Sequence, residues 1–171
     1  MTHPHKVFVS STFEDLKEHR AHVIKALEDA GIFVDPMEKW TAATGEPKQF
    51  SQERVNGCDL CVLLVAYRRG CVPKGEQKSI TQLEYEYARS HQIDLLVFLL
   101  EDDAQWKRSY DELGSDSGIV YWRKELQERH GVGFFTHDPK SVPIAPALTR
   151  WMAEKTTPPP PAAMPGARAW G

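Results

Sequence analysis

Apolar and polar positions along the chain switch repeatedly between a strand-like and a helix-like period. Residues 6–11 form a short β-branched and aromatic run, and 13–30 then carry apolar positions at helical spacing up to Gly31. The same reading predicts a second strand over 32–37, a short helix over 50–55 ending at Asn56-Gly57, and a third strand over 59–66. Next come a helix over 79–91, a strand over 94–100, a helix over 119–130, a weak fifth strand over 133–136 and a last helix within 144–155. The polar segment 101–118, with Gly114 and Gly118, reads as a surface loop with one helical turn around Trp106.

Val62 to Val65 do not alternate with polar residues, which suits a strand covered on both faces. Strands alternating with helices make βα units around a parallel sheet, and five strands predict an α/β, flavodoxin-like three-layer sandwich in the order 2-1-3-4-5. Ligands in such sheets sit beyond the carboxyl ends of the strands, so chemistry is expected after Val9, Met37 and Val65.

Composition narrows the function. The 21 basic and 24 acidic residues leave a formal charge of −3, which excludes nucleic-acid binding by bulk electrostatics. The longest apolar run, 60–66, is far short of the ~18 residues of a membrane helix, and the start of the chain lacks the layout of a signal peptide. A cytoplasmic domain without a membrane partner is expected. Cys58, Cys61 and Cys71 are too few for a disulfide scaffold, and they read as buried structural thiols although Cys58 and Cys61 have C-x-x-C spacing. Five of the 12 prolines lie in the last fourteen residues. The α/β domain is therefore placed at 6–155, and 156–171 is read as a Pro-rich linker or disordered tail, with a linker to a further domain preferred.

Candidate chemistry collects at the predicted strand ends. Ser10, Ser11 and Thr12 follow strand 1, and Ser11 with Glu14 has capping-box spacing, as has Thr12 with Asp15. Capping alone, or capping combined with phosphate or ribose binding, both fit. Arg20 falls on the apolar arc of the first helix, where it must meet an anion: Glu38 or Asp59 in a structural pair, or a ligand. Ser79 and Gln82 form a further capping-box pattern, and the helix they start carries Glu84 within an arc of Ile80, Leu83, Tyr87 and Ala88. A carboxylate there suits a general base or a ribose-binding acid, or else a structural partner for Arg20. Tyr67, Arg68 and Gly70 follow strand 3 as a phosphate clamp or an ordinary basic turn, while Glu38 and Trp40 offer a hydroxyl acceptor and an aromatic face. His19 and His22 lack a carboxylate to complete a metal set, and no nucleophile elbow is present.

Together, the segments around Ser10 to Arg20, Pro36 to Glu38, Tyr67 to Gly70 and Ser79 to Ala88 resemble a TIR-like domain family of uncharacterised function. Its members sit at the N-termini of bacterial STAND or NACHT-type NTPases, and the resemblance covers about residues 6–151. It implies kinship with TIR domains and nucleoside deoxyribosyltransferases, with Glu84 on the glutamate that cleaves an N-glycosidic bond. Arg68 and Gly70 match an R-Y-G turn in which Arg69 replaces the tyrosine. The implied activity is cleavage of NAD or a related nucleotide on homo-oligomerisation driven by downstream domains, with NAD as substrate and no resident cofactor. The alternatives are a non-catalytic homotypic interaction module and a nucleoside deoxyribosyltransferase-like enzyme.

Overall fold

The computed structural model describes residues 5–34 and 52–156. Within them β1 (Lys6–Ser10), β2 (Phe33–Val34), β3 (Leu60–Val65), β4 (Asp94–Leu100) and β5 (Gly133–Phe135) make one parallel sheet in the order β2-β1-β3-β4-β5. Four helices accompany it: α1 (Lys17–Asp29), α2 (Ile80–Ser90), α3 (Ser117–Arg129) and α4 (Ile144–Thr156), with residues 52–55 also helical. The chain is an α/β protein with the expected sheet order. Met37, Glu38, Trp40 and the proline-rich segment from 157 lie outside the described residues.

Because successive side chains of a strand point to opposite faces, the buried sheet splits into two apolar layers. Val7 and Val9 of β1, Val62 and Leu64 of β3, and Phe98 and Leu100 of β4 pack with Val23 and Leu27 of α1 and with Leu148 and Trp151 of α4. The alternate residues Leu63, Val65, Val97 and Leu99 pack with Tyr85 of α2 and with Ile119, Trp122 and Leu126 of α3. Phe8 and Cys61 continue that second layer against Ala88. Each fully buried aliphatic side chain contributes about 1.5–3 kcal/mol, so two filled layers hold the strand ends rigidly in place.

The strand and helix periods placed the five strands and the main helices, with shifts at the ends, while the 3-10 turn at Pro139–Ser141 is an addition. The first helix begins at Lys17 instead of residue 13, because Phe13 to Leu16 form a turn that closes with Leu16 N–H donating to the Phe13 carbonyl. The helical turn expected around Trp106 falls at Arg108–Tyr110. Cys58 and Cys61 are buried thiols, whereas Cys71 is exposed in the loop before α2. No helix among the described residues is long and apolar enough to cross a membrane.

Candidate functional site

Two local rules bring Ser10 and Glu84 together. Ser10 ends β1 on the same face as Phe8, the face covered by α2. Ser79 caps α2, accepting from the Gln82 N–H while the Gln82 side chain accepts from the Ser79 N–H. Glu84 then follows one turn later, on the buried side of the helix with Thr81 and Ala88. The Ser10 hydroxyl donates to Glu84 Oε1 at 2.9 Å, and Glu84 Oε2 is buried with no hydrogen-bond partner.

Only 1% of Glu84 is exposed. Burial disfavours its charged form and raises the carboxyl from 4.5 to about 7, against the opposing effects of the Ser10 hydrogen bond and the charges of Arg54 and Arg20. Both protonation states are therefore well populated at neutral pH, which is the range in which a carboxyl group can act as acid or base. Neighbouring Cys61 is held as an inert thiol, its pKa pushed well up by burial and by the Glu84 charge.

The segment after β1 departs from the capping-box expectation. Leu16 occupies the N-cap of α1 without a side-chain bond. Ser11 instead donates to the Thr12 carbonyl at 2.6 Å and accepts from Arg20 Nη1 at 3.0 Å. The same Arg20 nitrogen donates to the Val9 carbonyl at 3.0 Å, so the arginine braces the end of β1 from within the core. Asp59, one of its expected partners, accepts from the Lys6 N–H at 2.8 Å instead.

Ser11, Thr12, Arg68, Gly70, Thr81 and Glu84 line a cavity of about 340 Å³ at the carboxyl ends of β1 and β3. Gly70 allows the close approach that shapes it: its φ is +89°, and a Cβ there would sit 2.8 Å from Thr12 Cγ2. Arg68 Nε lies 3.1 Å from Asp15 Oδ1, and the Asp15 side chain is fully buried. Glu14 and Glu112 line it too, so the cavity collects three carboxyl groups, hydroxyls and a guanidinium held by Asp15.

Other expected site residues point elsewhere. Tyr67 lies outside this cavity, its hydroxyl donating to the Glu101 carbonyl and accepting from the Ala104 N–H, with the Arg123 guanidinium over its ring. Tyr87 is half-buried and stacks on His91, away from the cavity. Arg69, at the tyrosine position of the R-Y-G turn, pairs with Asp116 at 2.7 Å. Glu38 and Trp40 lie outside the described residues.

Sequence reasoning passed over two participants. The sequence pattern marks Asp15 only as a capping partner, yet it anchors Arg68. Arg123, 4% exposed, donates to the Ala66 and Leu100 carbonyls and tethers the ends of β3 and β4. Its position four residues after Ile119, on the buried arc of α3, is the signal that would have exposed it.

A family model described as a domain of unknown function (DUF4062) matches residues 6–143, and the chain belongs to that family. No curated protein sequence matches the chain. Among solved structures, a short-chain flavodoxin associated with a non-canonical PDU bacterial microcompartment is similar at 13% identity, with 88% of this chain and 99% of that chain covered. The TM-score of that pair is 0.38.

Proposed function

We propose that the chain is a TIR-like module that binds NAD or a related nucleotide in the Glu84 cavity and hydrolyses its nicotinamide–ribose bond when copies are clustered. The observation that carries this reading is the buried Glu84 carboxyl, held by Ser10 on one oxygen and bare on the other, on the wall of a cavity with Ser11, Thr12 and Arg68. In the reaction the C–N bond breaks and its electron pair leaves with nicotinamide. Positive charge develops on the ribose, and the Glu84 carboxylate stabilises it. Water adds to the same carbon and releases a proton, giving nicotinamide and ADP-ribose. Arg68 and the Thr12 hydroxyl bind the phosphates and ribose. In this reading the domain works in the cytoplasm, and a STAND or NACHT-type NTPase farther along the chain supplies the clustering.

Incubation of artificially clustered protein with NAD tests the proposal. Nicotinamide release by the wild type and its loss in Glu84→Gln by at least ~100-fold are expected for removal of a principal charge-stabilising group. Equal turnover in the two proteins, or none in clustered wild type, overturns it. Activity of the ionised form also requires the rate to rise as pH passes through about 7.

A second reading, assembly through homotypic contacts without catalysis, is favoured by Val120 and Tyr121, adjacent and exposed on α3 at 46% and 72%. Light scattering of wild type and Tyr121→Glu distinguishes it: association is expected to weaken in the variant, and a monomer at all concentrations sinks this reading.

A further inference from the structure

Beside the Glu84 cavity a larger cleft of about 520 Å³ opens between the start of α1 and the loop after β4. Glu14 lines both spaces. Between them stands the Arg68–Asp15 ion pair, with Arg68 on the Glu84 cavity and Asp15 on the larger cleft. Tyr110 of that cleft lies under the Arg68 guanidinium at 5.3 Å and the Lys107 ammonium at 5.1 Å. The two spaces are thus neighbours across the Arg68–Asp15 pair.

The cleft is built for a flat ring. Trp106 is fixed by edge contacts with His19 and Tyr67, at centroid distances of 5.6 Å and 6.3 Å, so little order remains to be gained on binding. Its Nε1–H is buried with no hydrogen-bond partner, and Tyr110 also lines the cleft. The carboxylates of Glu14, Asp15 and Glu18 there are acceptors for hydroxyl and amino donors.

We infer that the two spaces form one dinucleotide site, with a purine nucleoside in the Trp106 cleft, the diphosphate at Arg68, and the second ribose at Glu84. The order of chemistry across the protein is aromatic face and acceptor carboxylates, then guanidinium, then hydroxyls and carboxyl. That is the order of groups along a dinucleotide. The inference rests on the nucleotide reading of the Glu84 cavity and adds a subsite that reading does not contain.

Calorimetric titration of the full chain with AMP, nicotinamide mononucleotide and NAD tests it. Replacing a stacking ring by alanine costs on the order of tenfold in affinity. Trp106→Ala should therefore weaken AMP and NAD by about that factor and leave nicotinamide mononucleotide unchanged, while Trp106→Phe retains most of the AMP affinity. Trp106→Leu, which keeps the bulk and removes the ring, supplies the same contrast if Trp106→Ala does not fold. Absence of AMP binding to wild type, or an equal loss for AMP and nicotinamide mononucleotide, overturns the subsite. AMP binding that depends on Trp106 in a protein that does not cleave NAD supports the subsite and rejects the catalytic role of Glu84. Glu84-dependent cleavage with an unchanged KM for NAD in Trp106→Ala does the reverse.

Discussion

Residues 11–14 and 79–82 carry the same Ser-x-x-acid/amide pattern before a helix, and they fold differently. At Ser79 the pattern closes a capping box, and α2 begins at the next residue. At Ser11 it does not, and α1 waits until Lys17. The difference lies in what else each serine can reach. Ser79 has only its own helix end to satisfy, with the Gln82 N–H and side chain both within reach. Ser11 stands where β1 ends inside the molecule, and buried Arg20 needs its oxygen as an acceptor. A charged donor in the core outweighs a neutral cap, since hydrogen bonds to ionised groups are roughly twice as strong. One pattern therefore serves the helix and the other serves the site.

The largest test of this contrast removes the carboxyl that the strand-end segment faces. An acid whose folded pKa is raised holds its proton in the native state while the unfolded chain has released it, so stability is full below the unfolded value of 4.5 and is lost as pH rises through about 7. That loss amounts to about 3 kcal/mol between pH 4 and pH 8. His19 and His130, with pKa values lowered first by burial, change stability in the opposite direction but are common to both proteins. Urea unfolding at the two pH values should show Glu84→Gln losing about 3 kcal/mol less than wild type over the interval. Equal pH dependence would mean that the carboxyl of Glu84 is not raised in the folded protein.

A smaller effect comes from Gly70, whose missing side chain lets Thr12 approach. Gly70→Ala is expected to cost roughly 1–3 kcal/mol, from its left-handed backbone and the 2.8 Å contact with Thr12 Cγ2. Adding Thr12→Ser removes that methyl and should recover part of the loss in the same unfolding measurement. A double variant no more stable than Gly70→Ala would assign the whole cost to the backbone.

The smallest effect compares the caps directly. Ser79→Ala should cost about 1 kcal/mol, whereas Glu14→Ala, exposed and outside any capping box, should stay within about 0.5 kcal/mol of wild type. Equal losses measured by thermal or urea unfolding would show that Glu14 caps α1 in solution.

Much of this was legible from pattern. The unbroken apolar run of β3 signalled a strand covered on both faces, and every residue from Leu60 to Val65 is buried. The helical wheel of α2 put Glu84 on its apolar arc, and it is buried there. The same wheel failed for Tyr85 and Tyr87. Tyr85 is the buried ring, packed by Trp122 and hydrogen-bonded to His130 at 2.8 Å, while Tyr87 stacks on His91 nearer the surface. Single-helix periodicity identifies an apolar face but not how far a neighbouring helix such as α3 widens it. The loop after β4 was equally hard to read, because Trp106 and Tyr110 acquire meaning only through Arg68 and His19 from distant segments.

The sequence by itself determined the element order, the parallel sheet, the start of α2 and the presence of a carboxyl on its buried side. These follow from periodicities and caps that act within a few residues. Tertiary structure decided that Ser10, 74 positions away, donates to that carboxyl, that Ser11 serves Arg20 rather than its own helix, and that Arg68 divides two cavities. Those outcomes depend on competition among distant donors and acceptors in a space from which water is excluded. Only the packed fold sets which partner is within reach.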